Sequence, residues 1–154
     1  MGIVVFNAFW STVAAAGFAI LFNVPRRLLW GCMLTGAAGH ALRTFLVEAL
    51  DMQLALATFF GAGLVGFISQ WLARRLHTPA PIFAVSGTIP MVPGLFAYSA
   101  MIAIIQATTA PPDVVGGLLT KGATDAVQVL LILGAIATGI VLPILLFERE
   151  KPVV

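Results

Sequence analysis

The sequence predicts an all-α integral membrane protein of about five transmembrane helices, with the fourth broken at Pro90–Gly94. Three observations carry this expectation. Hydrophobic residues make up 60% of the 154-residue chain and charged residues only 9%, whereas soluble domains carry about 25% charged residues. The apolar residues gather into runs of about 20, the length that crosses a hydrocarbon core. One of those runs is interrupted by TIPMVPG at 88–94, where an unbroken helix would be expected. Residues 1–154 read as a single transmembrane domain.

The predicted spans are roughly 3–22, 28–47, 53–73, 82–105 and 124–147. The first begins in MGIVVFNAFW, which lacks the positive n-region of a secretory signal and stays apolar to Phe22. It reads as a span and not as a removed peptide. The second contains His40 and Arg43 and is the least apolar. Its Cys32 is the chain's single cysteine, so no intrachain disulfide is possible, and the thiol reads as a small apolar filler. The third holds GAGLVG at 61–66. That run matches a dinucleotide-binding pattern in letters only, because no strand precedes it and no acidic residue follows at the required distance. Gly63, Gly66 and Ser69 fall near one helical face and predict close helix packing. Gly36, Gly39, Gly134, Ala135 and Gly139 predict similar contacts on the second and fifth spans. Between the fourth and fifth spans, Pro111 and Pro112 end a helix, and DVVGGLLT begins a short interfacial helix. Lys121 and Asp125 are spaced as an i,i+4 pair.

Charge asymmetry sets an expected orientation. With five spans, Arg26-Arg27, Arg74-Arg75 and the C-terminal Glu148, Arg149, Glu150 and Lys151 lie on one side. Glu48, Asp51, Asp113, Lys121 and Asp125 lie on the other. Positive loops stay cytoplasmic, which puts the N-terminus outside and the C-terminus inside. Trp71, preceded by Gln70 and followed by Arg74-Arg75, reads as a headgroup-level anchor. The basic residues form no patch suited to nucleic acid. No paired carboxylates, Ser/His arrangement or metal-ligand spacing occurs in a span interior. The expectation is therefore no enzyme, no catalytic residue, no metal and no cofactor.

The break at 88–94 is the candidate site. Pro90 and Pro93 remove two backbone donors and disfavour helical angles at Ile89 and Val92, while Gly94 tolerates nearly any angle. Unsatisfied backbone in hydrocarbon costs several kcal/mol per group, so irregular backbone persists there only against protein or a watery cavity. The half-helix that starts near Pro93 would present free amides from Gly94 through Leu95 to Phe96, and such a terminus suits an anion. Thr88, Tyr98 and Ser99 could add hydroxyl donors. His40 and Arg43, three residues apart on one helical face, form the second half of the candidate substrate site. Glu48 and Asp51 are available as partners for Arg43. His77, in a loop, and Asn7 receive no role.

FNVP at 22–25, GAAGHALR at 36–43, TFFGAGLVGFISQW at 58–71 and IPMVPGLFAYSAM at 89–101 together resemble the threonine/serine exporter family, specifically the small (YjjB-type) subunit of its two-component form. The resemblance covers nearly the whole chain and is most specific in the Pro-Met-Val-Pro-Gly segment. It implies a multi-pass exporter subunit of the bacterial inner membrane. The implied substrate is a small anionic or zwitterionic carboxylate, of threonine/serine or succinate type. It also implies a larger membrane subunit of the same family as partner, and a homo-oligomer is a further option. The alternative is a scaffold subunit that does not itself touch substrate.

Overall fold

The computed structural model describes residues 2–147. Glu148, Arg149, Glu150 and Lys151, which contribute to the charge asymmetry above, lie outside the described residues. The helices are α1 (Gly2–Leu21), α2 (Leu29–Leu50), α3 (Leu54–Leu76), α4 (Pro81–Thr88), α5 (Gly94–Ala107) and α6 (Pro112–Phe147), with 3-10 turns at Arg26–Leu28 and Ile89–Met91. No strand occurs among the described residues. The chain divides into two compact units, Met1–Met91 with Ala135–Val154, and Val92–Gly134.

In the first unit, short polar turns reverse the chain after each long apolar helix. Asn23, Asp51 and His77 each take left-handed backbone angles, with φ of 56°, 50° and 52°. A left-handed residue just past a helix lets the next amide reach back to carbonyls that would otherwise be orphaned. Val24 N–H donates to the Ala19 carbonyl at 2.9 Å and Thr78 N–H to that of Ala73 at 3.1 Å. His77, without a role in the sequence reading, is thus the residue that ends α3. Ala19, Leu28, Cys32, Leu72 and Phe83 form one buried cluster. That cluster fixes the α1–α2 turn, with Arg26-Arg27, at the same end as the last turn of α3, with Arg74-Arg75.

Helix α2 touches α1, α3 and α4, and it does so through glycines. A Cβ placed on Gly36 would stand 2.6 Å from that of Ala15, and one on Gly31 would stand 2.6 Å from the Phe83 ring. On the facing helices, a Cβ on Gly61 would stand 2.8 Å from the Gly39 carbonyl oxygen, and one on Gly87 2.5 Å from the Thr35 hydroxyl. Where lipid replaces water, helices associate by close backbone approach, which small residues allow. The C-terminal part of α6 meets α3 in the same way: a Cβ on Gly66 would lie 2.8 Å from the Ile140 carbonyl oxygen, and one on Gly139 2.7 Å from that of Phe59. The GAGLVG run is therefore a helix-packing surface. Gly134 departs from its expected contact role, since open space surrounds the position of its would-be Cβ.

The expected count of five spans is not reached on length and composition. Among the described residues, three helices qualify: Gly2–Leu21, Leu54–Leu76 and Pro112–Leu146. The pair Pro81–Met91 and Gly94–Ala107 adds a fourth if counted as one broken span. Helix α2 has 22 residues, about 33 Å, so it is long enough. It falls short in apolarity because glycines, threonines, His40, Arg43 and Glu48 replace the aliphatic side chains that a lipid-facing helix carries.

The second unit holds α5 and the first part of α6. A Cβ on Gly122 would stand 3.1 Å from Ile104 and 3.4 Å from the Ala100 carbonyl oxygen, so the two helices pack back on each other through the turn at 108–111. Pro112 opens α6 and does not close a helix; at a first helical position its missing N–H costs nothing. The expected short interfacial helix is the beginning of this continuous 36-residue helix. The expected Lys121–Asp125 pair does not form. Lys121 is exposed, and one carboxylate oxygen of Asp125 is buried with no hydrogen-bond partner among the described residues.

Candidate functional site at the broken helix

Helix α4 winds for only eight residues. Ile89 keeps right-handed helical angles, φ −54° and ψ −40°, despite the proline that follows, so the expected departure from helix at Ile89 does not occur. Pro90 is absorbed into the 3-10 turn Ile89–Met91. The chain leaves helical geometry at Pro93, whose φ of −81° and ψ of 56° are those of an inverse γ-turn. The Gly94 N–H closes that turn on the Val92 carbonyl at 2.9 Å. Helix α5 then starts at Gly94, with its first helical bond from Ala97 N–H to the Pro93 carbonyl at 3.1 Å. Of the three amides expected to be free, Gly94 is used by the turn, leaving those of Leu95 and Phe96.

The turn is anchored at mid-height of the first unit. Met91 is fully buried, and its thioether occupies the room left by two glycines. A Cβ on Gly61 would lie 3.3 Å from the Met91 sulfur, and one on Gly39 3.4 Å from its terminal methyl. Gly39 lies about 15 Å along α2 from Leu29, near half the length of that helix. One turn further along α2, Arg43 donates from Nη1 to the Met91 carbonyl at 2.9 Å. The break in the helix denies this carbonyl its i+4 amide, and the guanidinium supplies a donor. The partner of Arg43 is thus a backbone carbonyl; among the described residues it forms no ion pair with Glu48 or Asp51.

A guanidinium has five N–H donors, and Met91 engages one. Arg43 also lines a cavity of about 210 Å³ together with Asn7, His40, Thr44, Val47, Glu48 and Leu54. A second cavity of about 260 Å³ is lined by Asn7, Trp10, Ser11, Ala14, His40 and Pro90. Asn7 and His40 border both. His40 Nδ1 lies 3.2 Å from the Thr44 hydroxyl, which fixes the ring between the two spaces. One wall of this region is α1, one is α2, and the floor is the 3-10 turn.

His40, Arg43 and Pro90 are therefore brought together. Thr88 is buried, but its hydroxyl donates to the Ala84 carbonyl of its own helix at 2.8 Å, so it offers that proton to no cavity. Pro93, Gly94, Leu95, Tyr98 and Ser99 belong to the other compact unit. There Leu95 and Tyr98 are exposed and Ser99 is half-buried. The sequence reading missed Asn7, Thr44 and Met91. Asn7 had a signal, since an amide inside an apolar run needs a polar neighbour. Met91 had none, because its role depends on two glycines that lie far away in sequence.

The family model described as threonine/serine exporter, ThrE, matches residues 7–146. An uncharacterized protein from Haemophilus influenzae is 37% identical over 149 residues, covering 97% of this chain and 49% of its own length. The chain thus spans about half the length of that relative. No solved structure matches it.

Proposed function

The chain belongs to the threonine/serine exporter family, and from that premise we propose that it is one subunit of a non-catalytic secondary transporter. It carries a small amino acid or carboxylate out of a bacterial cell across the inner membrane. The observation that supports a site on this chain is the Arg43–Met91 hydrogen bond at 2.9 Å, which ties a cation to a broken helix beside a polar cavity. Discontinuous helices at mid-membrane hold substrate carboxylates in other transporters. The remaining Arg43 donors would take the carboxylate. Glu48, which lines the same cavity, would face an ammonium group, so the lining favours a zwitterion such as threonine or serine over a dicarboxylate. His40 and Asn7 would hold hydroxyl or carboxylate oxygens.

The grouping of Arg26-Arg27 with Arg74-Arg75 at one end supports that end as cytoplasmic, with the N-terminus outside. The relative is about twice as long as the matched segment, which supports a second part, of about the same length as this chain, that completes the transport path.

The test is efflux of labelled threonine and of labelled succinate from cells expressing the chain with its partner. Losing a hydrogen bond to a charged group costs about 1.5–3 kcal/mol, so Arg43→Gln should lower efflux by roughly 10- to 100-fold, since each 1.4 kcal/mol is about tenfold. The variant should still insert, and Arg43→Lys should recover part of the loss. Normal efflux from a folded Arg43→Gln protein would remove the site from this chain and leave it a scaffold for its partner.

A further inference from the structure

Away from the broken helix, α3 and the end of α6 frame an open groove of about 210 Å³ lined by Phe67, Gln70, Trp71, Arg74 and Pro143. Along α3 these residues stand at i, i+3, i+4 and i+7, so they share one helical face. Their chemistry changes in order. Phe67 gives the exposed apolar wall, Pro143 being fully buried against Gly66; the Gln70 amide and the Trp71 ring follow, and the Arg74 guanidinium closes the end. Phe67 and Arg74 are seven residues apart, about 10 Å along the helix. Arg75, the next residue, sits over the Trp71 ring with its guanidinium carbon 5.6 Å from the centroid. That contact holds a second cation at the same level. Trp71, Arg74 and Arg75 are exposed, as are Arg26 and Arg27 at this end of the unit. The turns at 22–28 and 77–80 contain no acidic residue.

We propose that this groove binds an anionic phospholipid, with an acyl chain along Phe67, the ester region at Gln70 and Trp71, and the phosphate at Arg74 and Arg75. The order of apolar, polar and cationic groups matches the order of parts in a lipid, which is what argues for this occupant over a peptide. A Trp at headgroup level with adjacent Arg is the side-chain chemistry of a membrane interface. Basic residues there attract acidic lipids, by about fivefold per residue in binding.

The experiment uses the full chain purified in detergent and measures lipid retained by native mass spectrometry. Phosphatidylglycerol and phosphatidylethanolamine with matched acyl chains are offered together, and glycerol phosphate is offered separately. The expected result is a preference for phosphatidylglycerol of about fivefold or more. Arg74→Gln, an exposed change that leaves the fold intact, should lower the preference by about fivefold. Trp71→Ala should weaken retention of both lipids, and Lys121→Gln, an equal loss of charge in the other unit, should leave the preference unchanged. Equal retention of the two lipids would overturn the proposal, as would a preference that Arg74→Gln leaves unchanged or that Lys121→Gln lowers equally. Glycerol phosphate bound as well as the lipid would also overturn it, because the groove would then be a phosphate site with no use for its apolar wall.

Discussion

Helices α2 and α6 are opposites. α6 passes a test of length and apolarity for crossing a membrane, and α2 does not. Yet α2 contacts three other helices, supplies Arg43 to the broken helix, and borders the cavities at the candidate site. The first half of α6 has open space beside Gly116 and Gly117, where α2 has atoms packed within 3 Å of would-be Cβ positions at Gly31 and Gly36. Hydropathy measures what a helix shows to lipid. The face of α2 that meets α1, α3 and α4 carries its glycines and threonines, while Trp30, Met33, Leu34 and Phe45 stand exposed. The least apolar helix is then the one that borders the candidate site.

The sharpest break of this comparison is a pair of identical substitutions. Gly36→Leu drives a side chain into Ala15 and the Ser11 carbonyl, 2.6 and 3.2 Å from the new Cβ. Overpacking costs about 1–3 kcal/mol and more where backbone blocks the way, and a carbonyl cannot rotate aside. The expected outcome is loss of monodisperse protein on size-exclusion chromatography. Gly116→Leu, facing open space, should elute as the parent does. Equal behaviour of the two variants would mean that the contrast in packing has no energetic content.

How much of this was readable beforehand follows the range of the interactions. The break was legible because proline acts on its own backbone and its nearest neighbours, and Pro90, Pro93 and Gly94 stand together. Even so, proline's effect on the preceding residue is a preference, and Ile89 stayed helical inside a turn that tolerates it. The anchoring of the break was not legible. It needs Gly39 and Gly61 to leave a hole for Met91, and those residues meet only after three helices have packed. Arg43 stood out in the sequence as a charge within a span, but its acceptor was sought among carboxylates. A backbone carbonyl exposed by a distant turn leaves no mark on the sequence around Arg43. The count of five spans included α2 although His40 and Arg43 already marked it as the least apolar, and its glycines and threonines add to why it falls short.

A smaller effect separates buried from exposed threonines. Thr35 on α2 is fully buried, and its hydroxyl lies 3.1 Å from the Phe83 carbonyl on α4 and 2.9 Å from the Cys32 carbonyl. Thr35→Val keeps the shape and removes the donor, at a cost of about 1 kcal/mol. On α6, Thr120 donates only to the Gly116 carbonyl one turn back, at 2.9 Å, and is exposed. Thr120→Val should be nearly neutral. Chemical denaturation in mixed micelles compares the two directly. Equal costs would show that the α2–α4 hydrogen bond contributes nothing beyond the helix's own.

The mildest substitution asks what covers α6. Gly117 is exposed, and no atom stands within 4 Å of where its Cβ would be. Glycine in a helix interior is about 1 kcal/mol less favourable than alanine, so Gly117→Ala should stabilise the isolated chain by up to about that amount, read as a higher midpoint of unfolding. In contrast to Gly36, nothing among the described residues opposes the added methyl. If the isolated chain gains stability while efflux with the partner falls, the open face of α6 is a surface that another helix approaches closely. If both rise or stay level, that face meets lipid, whose fluid chains make way for a methyl group at almost no cost.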